Sequence, residues 1–157
     1  MVHLNQMPIA IKSDKIILKS EKDTKEFAEN FLSKIKPNYI VFLYGEMGVG
    51  KTTFVRYLVN KFQMNDKLKM TEVTSPTFNL LNQYQLNEFK INHYDLFRIK
   101  SIEEIKNLDL FEDISNSITL IEWPEIIKKK PKNLIELNFE YEKDHQSRSV
   151  QIKGLNL

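Results

Sequence analysis

The stretch Gly-Glu-Met-Gly-Val-Gly-Lys-Thr-Thr, residues 45–53, holds three of the four glycines in the chain. Its spacing is GxxxxGK[ST], carried by Gly45, Gly50, Lys51 and Thr52. Glycines at such positions let successive backbone N–H groups turn inward. A helix beginning near Lys51 adds its own free N–H groups and the positive end of its dipole. The run Gly45, Glu46, Met47, Gly48, Val49, Gly50 therefore reads as a nest for phosphate oxygens. Lys51 is placed to reach the β and γ phosphates of a nucleotide, Thr52 to put its hydroxyl on Mg²⁺, and Thr53 to touch the α phosphate. The plainer alternative is a helix N-terminus with tight turns. Glu46 adds negative charge inside the loop and is expected to point outward.

Phosphate chemistry at such a loop needs a carboxylate near the metal, usually at the carboxyl end of a strand. Two candidates stand out. Asp95 ends the alternating run Phe89–Asp95, and Glu122 ends the buried run Ile118–Glu122. Either can bind magnesium, directly or through water, and a carboxylate at Glu122 can also orient an attacking water. The plainer readings are a turn cap before Leu96 for Asp95 and a cap for the segment after Pro124 for Glu122. A second loop, Thr74, Ser75, Pro76, Thr77, Phe78, gathers three hydroxyls around a proline. Such a loop can sense a γ phosphate and relax after hydrolysis, or it can be an ordinary turn. Arg98 can pair with Asp95, face phosphate or lie in solvent. Trp123 can belong to the core, to an interface or to the nucleotide site. His93 alternates with Ile91 and Phe89, which suits a hydrogen-bonded histidine on a packed face as well as a general base.

The elements that must hold these groups follow from periodicity. Residues 39–44 are uniformly apolar, as a buried central strand requires. After the glycine loop, Phe54, Val55, Leu58, Val59 and Phe62 recur at helical spacing. Strand, glycine loop and helix thus stand in the order a phosphate loop needs. Upstream, residues 15–20 predict a short strand. Phe27, Ala28, Phe31, Leu32 and Ile35 predict a helix to about Lys36, with Asp23 and Glu26 as its capping box. Residues 78–86 and 89–97 predict a hairpin turning near Asn87–Glu88. Ser101 and Glu104 predict a second capping box, on a helix that buries Ile102, Ile105 and Leu108. Residues 117–123 predict a buried strand stopped by Pro124, and 125–132 a basic surface segment. Residues 134–141 and 148–152 predict paired strands. Residues 1–14 read as a loose arm, and nothing divides 15–157.

Bulk composition narrows the function classes. A chain of 157 residues with 41% apolar and 28% charged side chains suits one soluble domain. The net charge of +2 is too small to argue for nucleic acid, and no DNA partner is expected. Arg56, Arg98 and Arg148 are the only arginines among 23 basic residues. The chain has no cysteine, so disulfides, thiol catalysis and cysteine-ligated zinc are excluded; with three scattered histidines, a histidine metal centre is disfavoured. No apolar run suits a membrane span, and the N-terminus lacks the pattern of a signal peptide. The guanine-reading Asn-Lys-x-Asp is missing, since Asn60 and Lys61 continue as Phe62 and Gln63. That favours ATP over GTP. No arginine-rich lid of a nucleotide kinase appears.

Residues 45–53, Val73–Phe78 (VTSPTF), His93–Arg98 (HYDLFR) and Leu120–Pro124 (LIEWP) together resemble the bacterial TsaE family, over roughly residues 15–153. The resemblance implies a P-loop NTPase fold of the α/β class, with a central, mostly parallel sheet flanked by helices and extended by antiparallel strands. It also implies a cytoplasmic ATPase subunit acting with TsaB and TsaD, which place threonylcarbamoyl on the tRNA adenosine beside the anticodon. Contact with tRNA is then indirect, through the complex. Its cofactors would be ATP and Mg²⁺. Lys51 and Thr52 would serve phosphate and magnesium, Asp95 would be the magnesium-linked acid, and Glu122 would act in catalysis. Trp123 would lie near the nucleotide, and Thr77 would belong to a switch-like loop. Phe97 stands where the family usually has tyrosine. A nucleotide-gated adaptor with little hydrolysis and a small-molecule kinase are the competing readings.

Overall fold

A computed structural model describes residues 15–154 of the chain. The loose arm expected at 1–14 lies outside these described residues. Seven strands form one sheet: β1 (Lys15–Leu18), β2 (Ile40–Tyr44), β3 (Leu81–Gln85), β4 (Lys90–Asp95), β5 (Ser117–Glu122), β6 (Leu134–Tyr141) and β7 (Arg148–Lys153). Their spatial order is β1-β7-β6-β2-β5-β4-β3. The centre, β6-β2-β5-β4, is parallel throughout. Antiparallel strands extend it on both sides, β3 beside β4, and β7 then β1 beside β6. This is the parallel core with antiparallel additions that the resemblance implied.

The alternation of each strand reports which faces are covered. On β2, Val41 and Leu43 face one hydrophobic cluster while Ile40 and Phe42 face another. Both sides are buried, so the strand is apolar throughout. The first cluster lies under α1 (Glu21–Phe31) and α2 (Lys51–Asn65), where Phe27, Phe31, Phe54 and Phe139 pack with ring centroids 5.4–5.9 Å apart. Aromatic pairs at that spacing add to the burial of their area. The second lies under α3 (Ile102–Lys106) and its flanking loops, with Tyr94, Leu96, Ile99, Leu110 and Ile121. On β6, Ile135, Leu137 and Phe139 are buried in the first cluster, and the residues between them stay polar.

Four local expectations shift. The cap of α1 is Ser20, whose hydroxyl accepts from Asp23 N–H while Asp23 accepts from Lys19 N–H at 2.9 Å. The box is therefore Ser20/Asp23, three residues before Asp23/Glu26. α1 stops at Phe31 and tightens to a 3₁₀ turn at Leu32–Lys34, and Ile35 is already extended. β3 begins at Leu81, because Pro76–Leu80 closes a turn and Leu80 takes φ +67°, which no strand continues through. Ser101 and Glu104 do cap α3, but that helix has five residues, and Ile102 is 44% exposed while Ile105 and Leu108 pack inward.

Candidate nucleotide site

The carboxyl ends of β2, β4 and β5 meet at one edge of the sheet. β2 runs directly into the glycine loop, whose last residue, Gly50, precedes α2. Gly45 sits where the loop crosses β6: a Cβ there would lie 2.7 Å from the Phe139 carbonyl oxygen and 2.8 Å from Val49 Cγ1. Only glycine lets the two backbones come so close. Val49 is buried, whereas Glu46 and Met47 face outward, as expected for Glu46.

Asp95 and Glu122 are direct partners in the β4–β5 ladder. Both belong to the face that carries Ile91, Ile118 and Leu120, the face against α2. Both are almost fully buried, as is Lys51. Thr52, one residue into α2, donates its hydroxyl to Glu122, with Oγ1 3.0 Å from Oε2 and 3.2 Å from Oε1. That donation leaves the lone pairs of the Thr52 oxygen for another partner. From β4, His93 donates Nε2–H to Glu122 Oε2 at 2.6 Å. Glu122 thus caps nothing after Pro124.

Asp95 has a different set of partners. Its Oδ1 accepts from Phe97 N–H at 2.9 Å, so the turn-cap reading holds for one oxygen. Its Oδ2 accepts from the Ser75 hydroxyl, and Thr77 Oγ1 reaches Ser75 Oγ at 3.4 Å. Of the three hydroxyls in Thr74–Phe78, Ser75 is the one that touches the acid, and Thr77 reaches it through Ser75. Thr74 is exposed, and its carbonyl accepts from Asn82. Pro76 is buried, and Phe78 is 81% exposed beneath the guanidinium of Arg98, which lies 4.5 Å from its ring centroid. Arg98 therefore sits against Phe78, not against Asp95.

Trp123 closes the site from the other side. Its backbone is left-handed at φ +58°, directly before Pro124. Such a conformation costs a non-glycine residue about 1–3 kcal/mol and is found where surrounding structure enforces it. Here it accompanies a ring packed 4.9 Å from Phe97 and directly over Lys51, whose Nζ is 3.6 Å from the indole centroid. Lys51 Nζ also donates to the Gly45 carbonyl. Burial pushes its pKa below the ordinary lysine range, against the pull of Glu122, Glu125 and Asp95. A buried cation of this kind favours an anion brought into the site.

Gly48, Gly50, Lys51, Thr52, Thr53, Ser75, Thr77, Asp95, Glu122 and Trp123 line one cavity of about 280 Å³, with Met47 and Phe97 at its rim. Phosphate donors and oxygen ligands therefore share one space. Thr52, Asp95 and Glu122 suit a hard cation, but no group of three His, Cys, Asp or Glu side chains forms a metal site among the described residues. A larger cavity of about 790 Å³ lies across Gly45 and Glu46, lined by Tyr44, Glu136, Asn138, Tyr141 and His145 among others. It contains none of Lys51, Thr52, Asp95 or Glu122, and Trp123 borders both cavities. From the sequence, His93 reads as a packed histidine or a general base; its pairing with Glu122 depends on strand register.

Strand, glycine loop and helix, with two acids on the neighbouring strands, define a P-loop nucleotide-binding protein. The crystal structure of Bacillus subtilis YdiB has the same fold, with a TM-score of 0.69 at 20% identity over 92% of this chain and 87% of that one. Within that class the chain belongs to the TsaE family: the model for Threonylcarbamoyl adenosine biosynthesis protein TsaE matches residues 18–150. It is 50% identical over 123 residues to the tRNA threonylcarbamoyladenosine biosynthesis protein TsaE of Rickettsia bellii, covering 78% of this chain and 83% of that protein. Identity to the Rickettsia typhi protein of the same name is 46%, over 88% and 94% of the two chains. The Aquifex aeolicus protein of that name is 35% identical, over 76% and 82%.

Proposed function

We propose that this protein is a Mg²⁺-dependent ATP-binding and ATP-hydrolysing subunit that supports TsaB and TsaD in threonylcarbamoyl modification of the tRNA adenosine beside the anticodon. It works in the cytoplasm, and its activity depends on those partners. The observation that carries the reading is the Thr52–Glu122 bond at the head of α2, in the cavity that also holds Lys51 and Asp95.

Each group then has a task. The N–H groups of residues 45–53 and of the first turn of α2 bind phosphate oxygens. Lys51 exchanges the Gly45 carbonyl and the indole face for the β and γ phosphates. Thr52 keeps its hydrogen on Glu122 and would offer its lone pairs to Mg²⁺. Bound with ATP, Mg²⁺ supplies neutralisation of phosphate charge. Glu122 would steady this arrangement and orient water, and Asp95 would help hold the metal. Trp123, which borders both cavities, would shield the phosphates. No helix among the described residues is long and apolar enough to cross a membrane.

A second reading, a nucleotide-gated adaptor with slow turnover, is favoured by the Ser75–Asp95 bond. It ties the exposed loop to an acid of the site, so a ligand that engages Asp95 acts on the loop. One experiment separates these readings and the kinase alternative: measure ADP and free phosphate with the protein alone and with TsaB and TsaD. Phosphate release stimulated by the partners supports the ATPase. ATP-dependent complex formation without release supports the adaptor, and a phosphorylated small molecule in place of free phosphate supports a kinase. Absence of ATP binding in every arm overturns all three.

A further inference from the structure

His93 is fully buried and lies two residues before Asp95 on β4, so its ring shares the face of Asp95 and Glu122. One nitrogen is strongly engaged, with Nε2 2.6 Å from Glu122 Oε2. The other, Nδ1, is buried without a hydrogen-bond partner. Leaving a buried polar atom unpaired is a cost that an apolar side chain of similar size would avoid. Packing alone therefore does not account for an imidazole at this place; the bond made by Nε2 does.

That bond acts on a buried carboxylate at the end of a strand. The Glu122 side chain stands at the end of β5, where the strand stops and Trp123 turns away. Thr52 shares both carboxylate oxygens at 3.0 and 3.2 Å, which does not choose one orientation. The shorter bond from His93 fixes Oε2. With the carboxylate fixed, the Thr52 hydrogen stays committed to it and the Thr52 lone pairs stay turned toward the cavity. His93 is not among the residues that line the cavity holding Lys51, Thr52 and Glu122.

We propose that His93 is a positioning residue of the ATP site: through Nε2–H it holds Glu122, and through Glu122 the Thr52 hydroxyl, in the orientation that takes up the metal-bound nucleotide. The inference rests on the reading of Thr52 and Glu122 given under the proposed function. Outer partners of metal-binding groups typically change metal affinity or activity by about 10- to 100-fold when removed.

The test compares His93→Gln, whose amide nitrogen can take the place of Nε2, with His93→Leu, which keeps bulk and removes the donor. ATP affinity is measured by calorimetry with Mg²⁺ and with EDTA, and phosphate release is measured with TsaB and TsaD. His93→Leu should bind ATP in EDTA like the wild type and lose about 10- to 100-fold of the gain that Mg²⁺ provides, while His93→Gln stays within about threefold of wild type. In a Glu122→Ala background, His93→Leu should cost nothing further, because its route is already gone. If His93→Leu does not fold, His93→Asn replaces it, since its shorter amide reaches only the Nδ1 position. An unchanged Mg²⁺ gain in His93→Leu, a His93→Gln as poor as the donor-free variant, or a full additional loss in the Glu122→Ala background overturns the role of His93. Failure of the wild type to bind ATP at all is a different result, and overturns the proposed function instead.

Discussion

Replacing Gly45 with alanine tests whether the phosphate loop is held by the sheet itself. Gly45 has φ +143°, outside the range that side-chain-bearing residues favour. Holding a non-glycine residue in such a region costs about 1–3 kcal/mol. The new methyl group would also lie 2.7 Å from the Phe139 carbonyl oxygen and 2.8 Å from Val49 Cγ1, with Phe139 Cβ at 3.2 Å. The carbonyl belongs to β6 and cannot rotate away, and Val49 is 1% exposed. Overpacking of this kind adds about 1–3 kcal/mol. The two contributions together come to about 2–6 kcal/mol, against a total stability of about 5–15 kcal/mol for an ordinary domain.

Gly50→Ala is the internal control. Gly50 has φ +120° but nothing within 4 Å of a built Cβ. It should suffer the backbone strain alone, about 1–3 kcal/mol. Urea unfolding followed by circular dichroism reads both variants. With a slope of about 2 kcal/mol per M, Gly45→Ala should lower the midpoint by about 1–3 M and Gly50→Ala by about half as much. A Gly45→Ala protein within 0.5 M of wild type, on that rough scale, would refute the close-approach argument. So would a Gly50→Ala protein that is the less stable of the two.

The site residues separate in other assays. Lys51→Ala should weaken ATP binding by about 10- to 150-fold, the worth of one charge-assisted contact of about 1.5–3 kcal/mol; calorimetry that finds binding within threefold of wild type removes the loop assignment. Because burial lowers the Lys51 pKa, and phosphate raises it again, ATP binding should take up a proton at pH values between the two and weaken as pH rises through that window. Below the window Lys51 is charged in both states and the effect vanishes; calorimetry in two buffers of different ionisation heat measures it. Glu122→Gln should keep ATP and lose turnover in the presence of TsaB and TsaD, whereas Asp95→Asn should lose the Mg²⁺ dependence of binding. Normal hydrolysis by the first or normal Mg²⁺ dependence in the second contradicts the assigned role. Ser75→Ala should narrow any ATP-against-ADP difference in affinity for TsaB and TsaD more than Thr77→Val does, because Ser75 holds the direct bond to Asp95. Surface plasmon resonance in the two nucleotides decides the order.

Much of this site was legible in the sequence because its parts are local. The spacing from Gly45 to Thr52 and the apolar runs on both sides predict strand, loop and helix without any long-range information. The stop at Pro124 and the hairpin at Asn87–Glu88 are also local, and both stand in the structure. What was not legible depends on register between segments far apart in the chain. Ser75 and Asp95 are separated by 20 positions and His93 and Glu122 by 29, and no local pattern states that they touch. The displaced cap of α1 has a different cause. The Ser20 hydroxyl accepts from Asp23 N–H and the Asp23 carboxylate from Lys19 N–H one turn upstream, and the Asp23/Glu26 pattern is a second match to the same loose rule.

Register is also the reason that packing and chemistry cannot be separated here. In a parallel ladder, paired residues point to the same side, and a one-residue slip turns every side chain to the other face. β4 and β5 pair Ile91 with Ile118, His93 with Leu120 and Asp95 with Glu122. Ile91, Ile118 and Leu120 are fully buried in the cluster under α1 and α2, while Tyr94 and Ile121 belong to the opposite cluster. A slip of β5 would bring Ile121 to the α2 side and carry Glu122 away from both Thr52 and His93. The apolar residues that resist that slip lie in the strand interiors, and the groups they align lie at the carboxyl ends. The same ladder that buries the core thus sets the distances from Thr52 to Glu122 and from His93 to Glu122, and α2, packed on that core through Phe54, Val55 and Leu58, presents Thr52 to them.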